Sequence, residues 1–175
     1  LIYTQQHHDV QNAIRAIILY IWHLAAFKET TGEAARFQVE LGTAYCHLYG
    51  VDREANLKRA IECYETALQV YMQETFPLPW AKTQNNLGLA YSNLYGGDRE
   101  ANLRRAIECY EAALQVRTRE AFPVLWAMTQ NNLGLAYSNL RGEDREANLK
   151  QAIKCYEAAL QVRTREAFPV PWAII

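Results

Sequence analysis

One period dominates this chain: Leu41-Gly42, Leu87-Gly88 and Leu133-Gly134 open equivalent segments 46 residues apart. The stretch from Pro77 to Phe122 and the stretch from Pro123 to Phe168 differ at only eight places. These are Leu78/Val124, Pro79/Leu125, Lys82/Met128, Tyr95/Arg141, Gly97/Glu143, Arg104/Lys150, Arg105/Gln151 and Glu108/Lys154. A chain built this way must stack like units, because each unit touches only its neighbours and none buries its apolar side alone. The eight differences are expected at helix ends, in loops or on solvent faces.

Each unit carries two helical rhythms. Leu87, Tyr91 and Leu94 recur at spacings of four and three, with Gly88 on the same side. Leu103, Ala106, Ile107, Tyr110, Ala113, Leu114 and Arg117 follow the same rhythm, all apolar but the last. Gly50, Gly96 and Gly142 are expected to end the first helix, where a positive φ suits glycine. Either Asp98 or Asn102 caps the second, since Asp98-Arg99-Glu100-Ala101 reads equally as a turn or as helix. Arg117 and Arg119 lie near that helix's end, where cations suit its dipole, and Phe122-Pro123 stops it. The Arg117-Thr118-Arg119-Glu120 run suits an acidic or nucleic-acid partner, but alternating charge at a helix end is more often a solvated face, and it is read so. Glycine inside a helix costs about 1 kcal/mol against alanine. The recurring Gly42, Gly88 and Gly134 therefore predict a close approach of the second helix, with Tyr110 and Ala113 packed over Gly88. Trp80, Trp126 and Trp172 are expected to close the seams between units.

A net charge of -1 gives no electrostatic basis for binding nucleic acid or an anionic membrane. The apolar stretch from Ala13 to Phe27 is too short to span a bilayer and is interrupted by Arg15 and His23, so it reads as a buried amphipathic helix. Cys63, Cys109 and Cys155 share the 46-residue interval. Equivalent places in stacked helices lie about 10 Å apart, beyond the roughly 7 Å Cα limit for a disulfide. They read as core residues in a reducing, cytoplasmic setting. No metal site, cofactor or catalytic residue is expected: His7-His8 has no matching partner, and the lone His23 and His47 have no orienting group.

Asn86-Leu87-Gly88-Leu89-Ala90-Tyr91 and Ala106-Ile107-Glu108-Cys109-Tyr110-Glu111-Ala112-Ala113-Leu114 resemble the two halves of a tetratricopeptide repeat. That family's unit is shorter, and the surplus falls between Tyr91 and Ala106 and between Ala113 and Pro123. Thr83 to Leu87 and Thr129 to Leu133 are similar to long repeats of the kinesin-light-chain kind. The whole 46-residue pattern is similar to repeats of large cyanobacterial multidomain proteins, some with a caspase-like peptidase domain. The resemblance implies an all-α fold of antiparallel helix pairs stacked into a right-handed superhelix. It divides the chain into a degenerate preceding repeat (1–33), three repeats (34–76, 77–122 and 123–168) and the start of a truncated fourth (169–175). The chain is expected to be a segment of a longer protein, with uncapped ends able to self-associate.

At 100° per residue, Lys82, Asn85, Asn86, Leu89 and Asn93 point away from the buried side of the first helix, as do Met128, Asn131, Asn132, Leu135 and Asn139. In the first unit Arg36, Val39, Glu40, Thr43 and His47 take these places. The resemblance makes this face a concave groove for a protein or extended peptide. Asparagine offers both a donor and an acceptor, so Asn86 and Asn132 suit a ladder gripping a peptide backbone. In a competing reading the same amides tie helix to helix. Non-catalytic scaffolding is the expected function; the alternative is a sensing arm of a larger enzyme, such as a caspase-like peptidase.

Overall fold

The computed structural model describes residues 11–22, 32–48, 52–142 and 144–162. They form seven helices: α1 (11–22), α2 (Gly32–His47), α3 (Arg53–Leu68), α4 (Pro77–Asn93), α5 (Arg99–Val116), α6 (Pro123–Asn139) and α7 (Arg145–Val162). No strand occurs among the described residues. Helices α2 and α3, α4 and α5, and α6 and α7 pack as antiparallel pairs, and each pair leans on the next through α3 against α4 and α5 against α6. One buried apolar cluster runs through all three pairs, from Ala35 to Cys155. The expected all-α repeat solenoid is therefore present. In addition α2 touches α4 and α4 touches α6, whereas α3, α5 and α7 do not touch one another. The first helices of the pairs thus lie closer together than the second helices, which puts the first helices on the inside of the curve.

The internal glycines set the closeness of each pair. A Cβ on Gly42, Gly88 or Gly134 would lie 2.8, 2.8 and 2.9 Å from Cε1 of Tyr64, Tyr110 and Tyr156 respectively. It would also come within 3.1, 3.1 and 3.2 Å of the carbonyl oxygens of Ala60, Ala106 and Ala152. Tyr64 and Tyr110 are almost fully buried over these glycines. The next tyrosines tie pair to pair: the Tyr91 hydroxyl donates to Glu65 at 2.8 Å and the Tyr137 hydroxyl to Glu111 at 2.9 Å, each acceptor lying on the preceding second helix. Trp80 packs against the core, and the Arg119 guanidinium lies over the Trp126 ring. Trp172 lies outside the described residues.

The recurring Asp-Arg-Glu-Ala-Asn-Leu run joins the two helices of each pair. Asp98 is the cap, accepting from the Glu100 and Ala101 amides at 3.0 Å. Asn102 sits inside α5 and donates to the Leu94 and Gly96 carbonyls at 3.1 and 3.0 Å, while Arg99 also donates to the Leu94 carbonyl. Asp52, Arg53 and Asn56 repeat the arrangement, Asp52 accepting from Ala55 while Arg53 and Asn56 donate to the Cys46 and Leu48 carbonyls. Glu54 and Glu100 pair along the surface with Lys58 and Arg104. These side chains end the first helix, correcting the glycine expectation. Leu94 and Leu140 leave the helix in extended conformation, and the positive φ of 73° falls on Gly97 rather than Gly96 or Gly142. Gly50 lies outside the described residues.

Two further expectations need correction. Helix α5 ends at Val116, so Phe122-Pro123 does not stop it; Phe122 caps α6, and Pro123 occupies that helix's first turn. The apolar N-terminal stretch is helical at 11–22, but Ile18, Ile21 and Trp22 are exposed and only Ala13 is buried. No neighbour covers this face among the described residues, and 23–27 lie outside them. No described helix is long and apolar enough to cross a membrane. The eight differing places lie on exposed positions where described, apart from the half-buried pair Pro79 and Leu125.

Candidate peptide-binding groove

The inner face carries an open groove of about 570 Å³ between α2, α4 and α6. Arg36 and Val39 with Glu40 form one wall, Leu78, Pro79, Lys82, Asn85 and Asn86 the centre, and Leu125 and Met128 the other wall. A second depression of about 160 Å³ follows, lined by Thr43, His47, Asn86, Leu89 and Asn93 among others. Asn86 borders both. Of the ten residues expected on this face, Lys82, Asn85, Asn86 and Met128 line the larger hollow, and Leu89 and Asn93 line the smaller one beside Asn86. Asn131, Asn132, Leu135 and Asn139 line neither. Leu89, Met128 and Leu135 are exposed. Three of the eight differences between the near-identical units fall on the first two turns of α4 and α6, and Leu78, Pro79, Lys82, Leu125 and Met128 from these pairs line the groove.

The asparagines are not equivalent. Asn132 Nδ2 donates to Asn85 Oδ1 at 3.4 Å, joining α6 to α4. Asn86 occupies the same place in its unit, but the residue matching Asn85 is Val39, which offers no side-chain acceptor. Asn93 and Asn139 donate back to the Leu89 and Leu135 carbonyls at 2.9 and 2.8 Å, which occupies one donor of each. The Lys82 ammonium stands 3.5 Å from Glu40, an exposed pair at the rim that contributes little to stability.

Arg117 is the residue that sequence reasoning placed wrongly. Far from lying on a solvated face, it is only 6% exposed and borders the groove floor. Just beyond α5 the chain turns beneath α6, and Arg117 Nη1 donates to Thr129 Oγ1 at 3.0 Å. The Thr129 hydroxyl lies 2.9 Å from the Leu125 carbonyl and 3.2 Å from Asn85 Oδ1, so its single proton serves one of them at a time. Burial lowers the Arg117 pKa from its ordinary value. In the preceding unit Tyr71 takes this place and donates to the Gly32 carbonyl at 3.0 Å. A signal was present in the sequence: Arg117 continues the apolar rhythm of α5, where a charge is out of place.

The other chemically active groups sit inside helix pairs or along them. Burial is the main cause that pushes Cys63 and Cys109 up to about 12 and also raises Cys46 and Cys155, so these thiols are poor nucleophiles. His47 lies at the groove edge, its Nδ1 2.9 Å from the Thr43 carbonyl. No cluster of three or more metal-ligating side chains is found among the described residues.

Comparison with known proteins agrees with this architecture. The Sel1 repeat model matches residues 35–69, 81–115 and 127–161, each match holding one helix pair. The residues between the matches, 70–80 and 116–126, hold the turn that carries Tyr71 or Arg117 and the proline-led start of the next first helix. No curated protein and no solved structure matches the chain. Sel1 repeats are tetratricopeptide-like, non-catalytic scaffolds that generally mediate protein–protein interaction. With three matched repeats covering most of its helical length, the chain belongs to the Sel1 repeat family.

Proposed function

We propose that this chain is a protein-interaction module that holds an extended peptide along the inner face of the array without catalysis. The observation that carries the reading is the hollow between α2, α4 and α6, continued past Asn86 toward Leu89 and Asn93. Its wall combines exposed apolar side chains at Leu78 and Met128 with the amide of Asn86, a mixture suited to a peptide's side chains and backbone together. Of the proposed ladder, Asn86 is the better rung, because Asn132 is already bonded to Asn85. The resemblance to long kinesin-light-chain-like repeats, and a cytoplasmic setting suited to the unpaired thiols, belong to the same proposal.

The test is selection of binding peptides from a displayed random library, followed by affinity measurement against groove and outer-face variants. Leu89→Arg and Met128→Glu are expected to weaken recovered peptides at least tenfold, while Glu62→Arg on the outer face of α3 leaves them unchanged. Peptides indifferent to both groove changes, or lost with Glu62→Arg, would overturn the reading.

A further inference from the structure

A cation buried to this degree normally has a carboxylate beside it, since stripping water from a guanidinium without a counter-charge costs several kcal/mol. Among the described residues no carboxylate pairs with Arg117. Its Nε is buried with no hydrogen-bond partner, the only such side-chain atom among the described residues. The remaining bonds around it orient other donors the same way. Asn85 Oδ1 accepts from Asn132, and the Thr129 hydroxyl also lies against it, so Asn85 turns its acceptor inward. Its Nδ2 is left as an unspent donor at the groove wall. The Asn86 amide stands beside it, and Lys82 adds a cation at the rim. Around the hollow three cations, Arg36, Lys82 and Arg117, face the single carboxylate of Glu40.

We propose that the groove recognises an acidic side chain, with the carboxylate of an Asp or Glu in an extended peptide seated against the Arg117 guanidinium and Asn85 Nδ2. This deepens the groove reading and rests on it. Charge-assisted bonds of this kind are the strong ones, and guanidinium geometry suits a carboxylate. A side chain fits better than a chain terminus, because the hollow continues past Asn86 into the second depression and gives the peptide a path beyond the anchor. The apolar walls at Leu78, Pro79 and Leu125 call for apolar residues flanking the acid. The first unit has Tyr71 where Arg117 stands, so the anchor belongs to the groove's α4–α6 side and fixes the peptide's register.

The experiment uses the full chain and an array of heptapeptides, acetylated and amidated, with Glu, Asp, Gln or Asn central and apolar residues flanking. A matched set carries a free C-terminal carboxylate and central Gln. Binding is measured to the unaltered chain and to Arg117→Met, a replacement that retains bulk at a buried site where a hydrophobic substitute for an ion is often tolerated. The proposal expects Glu or Asp peptides to bind at least tenfold more tightly than their amide counterparts, and Arg117→Met to erase that preference. Equal binding of acid and amide peptides to the unaltered chain would sink the anchor and leave the groove reading standing. A preference confined to free C-termini would overturn the side-chain assignment, and an array with no bound member would count against both. Should Arg117→Met fail to fold, the Arg117 Nε–H resonance of the unaltered chain decides. It must shift on titration with the Glu peptide and stay in place with the Gln peptide; an immobile resonance refutes contact.

Discussion

Replacing Gly88 tests the packing argument because two effects of known sign oppose each other there. Alanine gains about 0.8 to 1 kcal/mol of helix propensity over glycine. Its Cβ, however, would stand 2.8 Å from Tyr110 Cε1, 3.0 Å from Cδ1 and 3.1 Å from the Ala106 carbonyl oxygen. The ring can move only by disturbing a buried residue, and the carbonyl only by moving α5. Overpacking of this kind costs about 1 to 3 kcal/mol. Gly88→Ala is therefore expected to be neutral to destabilising by about 2 kcal/mol, and Gly88→Leu to cost about 3 kcal/mol or more by the same overpacking. Each kcal/mol corresponds to roughly 2 to 4 °C in Tm for a chain of this size. Gly97→Ala is the control: nothing lies within 4 Å of its Cβ, but its φ is 73°, so any loss there is backbone strain alone. Urea melts followed by circular dichroism give the stabilities, and Tyr110→Leu completes a double-mutant cycle with Gly88→Ala. The contact account requires a coupling of at least about 0.5 kcal/mol between the two sites. A higher Tm for Gly88→Ala, with losses additive in the double variant, would refute it.

Asn102→Ala should destabilise the chain by about 1 to 3 kcal/mol, more than the roughly 1 kcal/mol of Asp98→Ala, because the Gly96 carbonyl just beyond α4 loses its side-chain donor and the Leu94 carbonyl keeps only that of Arg99; paired urea melts measure the order. Asn86→Ala is expected to leave stability within about 0.5 kcal/mol, as usual for a surface position. Asn132→Ala loses a long bond to Asn85 and should cost about 0.5 to 1 kcal/mol, so the same melts separate the groove amide from the helix-to-helix tie. The thiol pKa values of Cys63 and Cys109, raised from 9.0 to about 12, favour the neutral form in the folded chain. Their contribution is intact below about pH 9 and is lost as pH rises toward 12. A Tm series across that window should decline more gently for Cys63→Ala and Cys109→Ala than for the unaltered chain.

The parts of the fold that were legible in the sequence are those governed by local rules repeated at the 46-residue period. Gly88 under Tyr110 follows from helical periodicity applied three times over, and the same projection put Lys82, Asn86 and Leu89 together on the face that lines the two hollows. Helix ends were less legible. Gly96 looked like the terminator because glycine often is one, whereas Asn102 and Arg99 satisfy the carbonyls from the next helix. Arg117 was legible only in part: its place in the apolar rhythm marks it as buried, but α5 ends at Val116, and the turn that carries its side chain to Thr129 on α6 lies beyond any helical projection. The choice between Asp98 and Asn102 as cap was undecidable from residue type, since both side chains bond to backbone and only geometry separates the two roles. The N-terminal apolar stretch gave a helix correctly but not its burial, because periodicity reports which face is apolar and not what covers it.

On the function proposed for this chain, a partner is held on the inner face of the array. The most direct measurement is a backbone amide NMR titration of the full chain with a peptide recovered from the displayed library, read as a map of shifted residues. The shifts are expected to concentrate at residues 82–93 of α4 and 125–135 of α6, with Arg36 and Glu40 on α2 and Arg117 beneath. Shifts confined to the outer faces of α3, α5 and α7, or to α1, with the inner face unmoved, would contradict it.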